Sequence, residues 1–418
     1  MAKLIVEGLH KLSGSIPIHG AKNSALPVLA ATLLADGPSE IHNCPRLSDV
    51  DASAAILRCL GCRVDQRQDV VTVDPAGMSG CEIPDPLMRE MRSSIVFLGA
   101  IIAKCGRADM SFPGGCELGA RPIDLHLAAL EKLGVVIEEE GGHLHCRAEG
   151  RLQGTEISLA MPSVGATENV LLAAATAQGT TVLRNAAREP EIEDLCRYLV
   201  GCGAHILTGA DGVITIEGVD KLHGCQHRVI PDRIETATYM AAAAVTGGTL
   251  VLKNAEPGHV STVFPCFEEA GCEVSIWNKE ILISAPPRLR RISTVRTMPY
   301  PGFPTDAQAP LMAMTCVADG TSVFIENIFE SRYKHAGELM RLGAKIKVEG
   351  RVAVVEGVPV LSGAPVKCTD LRGGAALVVA ALAAEGRTEI HDLHHLDRGY
   401  ENLEESLAQT GAVIRRQS

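Results

Sequence analysis

The sequence GATENVLLAAATAQ at residues 165–178 is an Ala-rich apolar run that ends directly before Gly179. The residues that follow, TTVLR at 180–184, are rich in β-branched side chains, and apolar residues recur at helical spacing over 191–200 before HILT at 205–208. This order predicts a buried helix, a strand, a second helix and a second strand. A unit of this size cannot bury so apolar a helix by itself, so it must pack against other units.

The same arrangement recurs along the chain with a period of about 70 residues. The first glycines of the six units are Gly37, Gly106, Gly179, Gly248, Gly320 and Gly386, and the second glycines are Gly61, Gly134, Gly203, Gly271, Gly343 and Gly411. We predict that these glycines end helices in the left-handed conformation. Six units could form one ring or two domains of three. The length favours two α/β domains with helices inside and sheets outside.

Composition and charge exclude several classes of protein. The 418 residues are 46% hydrophobic, 21% charged and 3% aromatic, which is typical of a globular protein and not of a disordered or fibrous one. The net charge of −11 argues against a nucleic-acid partner. Apolar runs of about ten residues are too short to span a bilayer, and the first residues do not resemble a signal peptide. We expect a cytoplasmic protein without a membrane partner.

The 14 cysteines are scattered over the chain and not concentrated in a small scaffold. In a cytoplasmic protein they are expected to be reduced thiols. Cys59 and Cys62 form a CxxC pattern without a second pair, so we interpret them as a helix end and a strand start, and we expect no metal site.

The starts of the buried helices carry polar and charged residues. They are predicted at Lys22, Arg92, Ser163, Asp232, Thr305–Asp306 and Asp370. If the helices of each domain are parallel, their N-termini face one cleft and attract anions. Asp232 and Asp370 are explained by N-capping alone. Lys22 and Arg92 do not cap helices, and a cation at a helix N-terminus indicates a nearby anion, which we interpret as a ligand.

The second unit is about four residues longer than the others. The extra residues fall in SFPGGCELGARP at 111–122, where the Gly-Gly pair predicts a mobile loop. Cys116 lies in this loop, five residues before Arg121. A thiol near a cation in such a loop is expected to be reactive, whereas the other cysteines are given no role.

Six motifs together resemble the UDP-N-acetylglucosamine enolpyruvyltransferase family. They are GAKNSALP at 20–27, PGGC at 113–116, GARPIDLH at 119–126, PDRIET at 231–236, FPTD at 303–306 and HLDRGYE at 395–401. The resemblance extends over almost the whole chain. It implies an α/β fold of two inside-out domains built from six repeats, the enolpyruvyltransferase fold. It also implies that residues 22–230 form an N-terminal three-repeat domain, that residues 1–21 and 231–418 form a C-terminal one, and that the active site lies in the cleft between them.

The family resemblance implies an activity and two catalytic residues. The enolpyruvyl group of phosphoenolpyruvate moves to the 3′-hydroxyl of UDP-N-acetylglucosamine with release of phosphate, which is the first committed step of peptidoglycan synthesis. Cys116 corresponds to the proton donor, and Asp306 to the base or orienting group at the sugar hydroxyl. These two small molecules are the expected partners, no cofactor or metal is expected, and the oligomeric state is left open.

The resemblance also assigns the binding residues. Those expected to bind phosphoenolpyruvate are Lys22, Asn23, Arg121, Arg332 and Arg398. Those expected to bind UDP-N-acetylglucosamine are Arg92, Arg121, Pro122, Ile123, Asp124, Leu125, Ser163, Val164, Gly165, Asp306 and Ile328, with Asn23 beside them. Met161 departs from the family pattern, in which a basic residue is common at this position.

Two alternative functions are open. A 3-phosphoshikimate 1-carboxyvinyltransferase has the same fold and donor but lacks the cysteine loop, so Cys116 argues against it. A non-catalytic UDP-sugar-binding paralogue would have no need for a proton donor at Cys116.

Overall fold

The computed structural model describes residues 2–114 and 123–417, and over these residues the chain divides into two compact units. The N-terminal unit comprises residues 20–114 and 123–230. The C-terminal unit comprises residues 2–19 and 231–417.

Fourteen α-helices lie within the described residues and are numbered α1 to α14 in chain order. They are Lys22–Ala31, Ser48–Cys59, Asp85–Glu90, Phe97–Cys105, Asp124–Lys132, Val164–Ala174, Pro190–Gly201, Arg233–Val245, Pro257–Val260, Phe264–Glu269, Thr305–Thr315, Lys334–Arg341, Leu371–Leu382 and Leu403–Ala408. No helix in this part of the chain combines the length and the apolar character needed to cross a bilayer.

The same residues contain 28 strands, numbered β1 to β28 in chain order. They are Lys3–Glu7, Ser13–Pro17, Ala35–Asp36, Ser39–His42, Arg63–Arg67, Val70–Asp74, Glu82–Ile83, Arg107–Ser111, Val135–Glu140, His143–Ala148, Glu156–Ser158, Thr180–Arg184, His205–Thr208, Ile214–Glu217, Leu222–His223, Gln226–Arg228, Thr249–Lys253, Glu273–Trp277, Glu280–Ser284, Thr294–Arg296, Thr321–Ile325, Lys345–Glu349, Val352–Glu356, Leu361–Ser362, Pro365–Lys367, Ala384–Glu385, Arg387–His391 and Val413–Gln417.

Six four-stranded sheets share one topology, three in each unit. In the sheet β11-β12-β14-β13, the outer strand β11 is parallel to β12, and the remaining pairs are antiparallel. The other sheets are β16-β4-β6-β5, β7-β8-β10-β9, β18-β19-β17-β2, β20-β21-β23-β22 and β25-β27-β1-β28. The repeat predicted from the glycine spacing is therefore confirmed by strand order.

Segments distant in sequence complete three of these sheets. Strand β1 lies between β27 and β28, with Leu4 opposite Ile390, and β2 lies beside β17. Strand β16, at the end of the N-terminal unit, lies beside β4. The backbone hydrogen bonds of these strands thus close each unit between segments far apart in the chain.

The Ala-rich helices are buried inside each unit. In the C-terminal unit α8, α11 and α13 pack against one another, and in the N-terminal unit α4 packs against α6 and α1. Small side chains allow close approach: a Cβ on Gly99 of α4 would lie 2.4 Å from the backbone oxygen of Asn169 in α6. The expected arrangement of helices inside and sheets outside is present in both units.

The glycine prediction needs two corrections. Eleven of the twelve repeat glycines have a positive φ. In the fourth of the six sequence repeats, the left-handed residue is Gly247, with φ 60°, and not Gly248. Among the first glycines, only Gly106 is a helix C-cap. The others lie three to six positions beyond the last helical residue. A turn separates α6 from Gly179, whereas the short strands β3 and β26 directly precede Gly37 and Gly386.

Candidate active site

The predicted starts of the six buried helices are confirmed. Helix α1 begins at Lys22, a 3-10 helix spans Arg92–Val96 directly before α4, and α6, α8, α11 and α13 begin at Val164, Arg233, Thr305 and Leu371. As expected, the carboxylates of Asp232 and Asp370 accept hydrogen bonds from backbone N–H groups in the first turns of α8 and α13. These two aspartates cap helices.

Lys22 is almost fully buried at the first position of α1. Its Nζ lies 2.6 Å from Oδ2 of Asp49, which is buried in the first turn of α2. The anion that the sequence indicated beside Lys22 is thus present within the protein. The position of Lys22 therefore does not by itself require a ligand, and its role in substrate binding stays a prediction.

A buried carboxylate fixes the first turn of α1. Ser24 donates from Oγ to Oδ2 of Asp194 in α7, and Asp194 is 1% exposed. The same oxygen accepts the backbone N–H of Ile230 at 3.3 Å. Asn23, between Lys22 and Ser24, is half-buried. These bonds hold in place the two residues of α1 that the sequence predicts to bind substrate.

The start of α6 is built around a neutral histidine. Asn169 donates from Nδ2 to Nδ1 of His126 at 2.9 Å and from the same amide nitrogen to the carbonyl oxygen of Ile95 at 3.2 Å. Burial, together with the nearby charge of Arg92, lowers the pKa of His126 to about 4. With Nδ1 accepting, the ring proton lies on Nε2.

The residues of the predicted diphosphate site lie at this helix start. Ser163 caps α6 by accepting the backbone N–H of Ala166 at 3.4 Å, and Val164 is the first helical residue. A Cβ on Gly165 would lie 2.6 Å from Cε1 of His126, so glycine is needed for the helix to approach the ring. A helix N-terminus of this form attracts anions.

The remaining predicted residues of the N-terminal unit are distributed along adjoining segments. Arg92 Nη1 lies 3.5 Å from the carbonyl oxygen of Pro113. Ile123 is buried, Asp124 is the first residue of α5, and Leu125 is half-buried in the same helix. Met161, in place of the expected basic residue, is 51% exposed. Cys116, Arg121 and Pro122 lie outside the described residues, so their predicted roles stay predictions.

In the C-terminal unit, Asp306 is held between two buried arginines. Its Oδ1 lies 3.0 Å from Nη2 of Arg332, and its Oδ2 lies 3.2 Å and 3.1 Å from Nε and Nη2 of Arg372. The Asp306 side chain is 26% exposed, whereas the two guanidinium groups are nearly inaccessible. Three charge-assisted hydrogen bonds thus fix the carboxylate in one orientation.

The sequence reasoning missed Arg372 as a site residue, although it located the start of α13 beside it. Arg372 Cζ lies 5.4 Å from the ring centre of Tyr400, whose hydroxyl is 2.9 Å from Oγ1 of Thr238. Burial alone would lower the pKa of Arg372, but Tyr400 and Asp306 raise it above its usual value. Arg372 therefore keeps its positive charge, and only its tertiary contacts distinguish it from other arginines near helix ends.

A buried glutamate that the sequence did not single out shapes the turn containing Ile328. Oε1 of Glu326 accepts the backbone N–H groups of Ile328 at 2.8 Å and Phe329 at 3.0 Å. Its other oxygen accepts the hydroxyl of Thr305, the residue before Asp306, at 2.9 Å. Glu326 thereby connects two of the predicted UDP-sugar residues, Ile328 and Asp306.

Arg398 is the last residue of a 3-10 helix, Leu393–Arg398, that packs against α13. Arg332 and Asp306 are in direct contact, and Arg372 and Arg398 lie on neighbouring elements of the same unit. The C-terminal unit therefore presents a carboxylate held by two arginines, with a further arginine on the helix packed beside α13.

Comparison with known proteins identifies the family. A family model described as EPSP synthase (3-phosphoshikimate 1-carboxyvinyltransferase) matches residues 6–407. The chain belongs to this family. UDP-N-acetylglucosamine 1-carboxyvinyltransferase 2 of Caldanaerobacter subterraneus is 50% identical, with 100% of both chains covered. UDP-N-acetylglucosamine 1-carboxyvinyltransferase of Granulibacter bethesdensis is 48% identical, with 100% of this chain and 99% of the relative covered.

Solved structures of the family share the fold. The enolpyruvyl transferase NikO from Streptomyces tendae matches with a TM-score of 0.89 at 28% identity, over 100% of this chain and 99% of that chain. EPSP synthase from Acinetobacter baumannii matches with a TM-score of 0.79 at 20% identity, over 100% of both chains. The predicted fold class and the family resemblance are confirmed, and the chain is an enolpyruvyl-transferring enzyme.

Proposed function

We propose that the enzyme transfers the enolpyruvyl group of phosphoenolpyruvate to the 3′-hydroxyl of UDP-N-acetylglucosamine and releases phosphate, as the first committed step of peptidoglycan synthesis. The observation that carries this proposal is identity of 45–50% over essentially the full length with enzymes of that name. The solved shikimate-branch enzyme is only 20% identical, and the PGGC loop argues against that branch.

The reaction is an addition followed by an elimination. In the addition, C3 of phosphoenolpyruvate takes a proton while the sugar 3′-oxygen forms a bond to C2 and loses its own proton. In the elimination, C3 gives up a proton and the C2–O bond to phosphate breaks. We assign the proton delivered to C3 to the Cys116 thiol. Asp306, fixed by Arg332 and Arg372, is assigned to the sugar hydroxyl, which it orients as it loses its proton.

Phosphoenolpyruvate carries close to three negative charges, so several cations must meet it. We assign Lys22, Arg121, Arg332 and Arg398 to this role, with Asn23 beside Lys22. Arginine suits carboxylate and phosphate oxygens because its planar fork donates two hydrogen bonds at once. Since Lys22 already pairs with Asp49, its charge would be shared between that carboxylate and the substrate.

The nucleotide sugar is assigned to the start of α6 and to the segments beside it. Ser163–Gly165 would bind the diphosphate through backbone N–H groups at the helix N-terminus. Arg92 and the 121–125 segment are assigned to the nucleotide. Asp306 and Ile328 are assigned to the sugar. Met161 supplies no charge there, so we expect the nucleotide to be held mainly by these other groups.

Several finer points follow from family membership. The residues assigned to the two substrates come from both the N-terminal and the C-terminal units, and Cys116 is the proposed proton donor. The enzyme would act in the cytoplasm. The epoxide fosfomycin, a small electrophile that resembles phosphoenolpyruvate, would alkylate the Cys116 thiol.

Substitution of Cys116 tests this function most directly. Phosphate release from phosphoenolpyruvate should require UDP-N-acetylglucosamine and should not occur with shikimate 3-phosphate. Cys116→Ser should nearly abolish turnover because a hydroxyl is too weak an acid at neutral pH. Cys116→Asp should retain substantial turnover and resist fosfomycin, because a carboxylic acid can deliver the proton but offers no thiol.

The exposed thiol of Cys105 provides a matched control. Cys105→Ser should keep both turnover and sensitivity to fosfomycin. Trypsin does not cut between Arg121 and Pro122, so it releases Cys116 in the peptide 108–132, which contains no other cysteine, and mass spectrometry can locate the adduct. Full activity of Cys116→Ser, or an adduct spread over many cysteines, would contradict the assignment. Binding of UDP-N-acetylglucosamine without any phosphate release would favour the non-catalytic paralogue.

A further inference from the structure

Two cysteines without a role predicted from the sequence are in contact in the N-terminal unit. The Sγ atoms of Cys202 and Cys225 lie 3.2 Å apart, although 23 positions separate them in the sequence. Cys202 follows the last residue of α7 and is buried, whereas Cys225 directly precedes β16 and is partly exposed. The pair is therefore reachable from solvent on the Cys225 side.

Backbone hydrogen bonds hold the two segments together. The carbonyl oxygen of Cys202 accepts the N–H of His223 at 2.9 Å. The N–H of Cys225 donates to Oγ of Ser39 at 3.3 Å, and its carbonyl oxygen accepts the N–H of Glu40 at 3.0 Å. A disulfide bond is about 2.05 Å long, so the sulfurs need to approach by only about 1 Å.

The two thiols differ in acidity. The hydrogen bond with the Cys202 thiol lowers the pKa of Cys225, against the opposing effect of burial. The same contact, together with burial, raises the pKa of Cys202. At the other described cysteines with a resolved shift, the pKa is raised; these are Cys62, Cys105, Cys146, Cys196, Cys266, Cys272, Cys316 and Cys368. The more exposed thiol of the pair is thus also the more nucleophilic one at neutral pH.

We propose that Cys202 and Cys225 are a redox-sensitive pair that a hydroperoxide oxidises to an intramolecular disulfide. The thiolate of Cys225 attacks the peroxide oxygen, the O–O bond breaks, and Cys225 becomes a sulfenic acid while the peroxide leaves as an alcohol or water. The Cys202 sulfur then attacks the Cys225 sulfur, the S–O bond breaks, and water is released with the Cys202 proton. Two thiols and one organic hydroperoxide thus give one disulfide, one alcohol and one water, and with hydrogen peroxide the products are one disulfide and two waters.

The disulfide would join the end of α7 to the strand that completes a sheet. Strand β16 is the parallel outer strand of β16-β4-β6-β5, and it is paired only with β4. Helix α7 also carries Tyr198, whose hydroxyl lies 2.9 Å from Oγ of Ser39 at the start of β4. A disulfide at this place would restrict the conformations of the unfolded chain, which stabilises the folded protein. It would also limit local opening of β16. We expect the oxidised protein to have a higher Tm and slower amide exchange over residues 222–230.

Peptide mapping after peroxide treatment tests the proposal on the full chain. Trypsin cuts after Arg197, Lys221 and Arg228, so Cys202 and Cys225 fall on the separate peptides 198–221 and 222–228, each with one cysteine. Stoichiometric hydrogen peroxide should produce these two peptides as a linked species that has lost two hydrogens. Dithiothreitol should separate them again. The linked species should form in preference to any adduct at the exposed thiols of Cys59 and Cys105.

Two single substitutions provide the comparison. Cys225→Ser should abolish the linked species and the rise in Tm on oxidation. Cys196→Ser, at a buried cysteine in the same helix α7, should leave both unchanged. Two outcomes would overturn the proposal: stepwise over-oxidation of Cys225 while Cys202 remains open to alkylation, or linkage of either cysteine to a different partner. A linked species with unchanged amide exchange over 222–230 would overturn the predicted effect on β16.

Discussion

Substitution of Asp306 by asparagine should cost stability as well as activity. Asp306 accepts three hydrogen bonds from Arg332 and Arg372, whose side chains are 2% and 4% exposed. The asparagine side chain has the same shape but no charge. It has one acceptor oxygen and an NH2 group, so one arginine faces a donor in place of an acceptor. Two buried cations would then lack the anion that compensates them.

The expected loss in the free energy of unfolding follows from the exposure of the three side chains. Removing one partner of a fully buried ion pair costs about 3–5 kcal/mol, whereas an exposed pair contributes about 0–1 kcal/mol. Because Asp306 is 26% exposed while both arginines are buried, we expect Asp306→Asn to lower the free energy of unfolding by about 2–4 kcal/mol. In the proposed reaction, turnover should also fall by about 10²–10⁴.

Urea denaturation at pH 7 measures the loss of stability. Glu356→Gln is the matched control, because Glu356 pairs with Lys345 at 2.8 Å but both side chains are about 60% exposed. It should change stability by less than about 0.5 kcal/mol. Adding Arg372→Met to Asp306→Asn should recover at least about 1 kcal/mol, since it removes one uncompensated cation. Two results would refute the described role of the buried ion network. One is a free energy of unfolding of Asp306→Asn equal to that of the wild type. The other is a loss of free energy in the double variant equal to the sum of the losses in the two single variants.

Two further substitutions test the interior of the N-terminal unit. Burial and the nearby carboxylates Glu191 and Glu189 raise the pKa of Glu168 from 4.5 to about 8. The stability of the wild type should therefore fall as pH rises from about 4.5 to about 8, where the unfolded chain has lost this proton and the folded chain still holds it. Glu168→Gln should therefore gain stability relative to the wild type as pH rises from about 5 to about 8 in urea titrations, and parallel pH profiles of the two proteins would contradict this. Gly99→Ala should lower the free energy of unfolding by about 1–3 kcal/mol because its Cβ would lie 2.4 Å from Asn169. Gly337→Ala, in α12 with no atom within 4 Å of its added Cβ, should leave the free energy of unfolding unchanged or raise it. Equal changes in the free energy of unfolding for the two alanine variants would refute the packing argument.

The sequence determined the repeat and the helix starts because both depend on local chemistry. Glycines at regular spacing supply left-handed residues, and an Ala-rich run followed by a β-branched run predicts a helix and a strand wherever it occurs. Helix α7 was expected over 191–200 and is found at Pro190–Gly201, and β12 was expected and found at Thr180–Arg184. The displacement from Gly248 to Gly247 arose because two adjacent glycines satisfy the same local pattern.

The site residues were predicted from motifs, and local sequence could not reveal how they are held. Asp49 opposite Lys22 and Glu326 behind Ile328 are ordinary acidic residues until the chain folds. Their partners come from other helices and turns. The hydrogen bonds and ion pairs of a carboxylate become strong only when burial removes the water that competes for them.

Only the tertiary structure decided which distant segments meet. Strand β1 completes a sheet with residues near 390 and 415, and β16 completes the first sheet of its unit. The pairing of β16 with β4 brings Cys225 to Cys202, and the packing of α11 against α13 brings Arg372 to Asp306. Sequence spacing constrains contacts within a helix or hairpin, where geometry fixes the neighbours, but contacts between elements depend on how whole apolar faces are buried together. For that reason the repeat was visible in the sequence, whereas the side-chain pairs between its helices and strands appeared only in the folded chain.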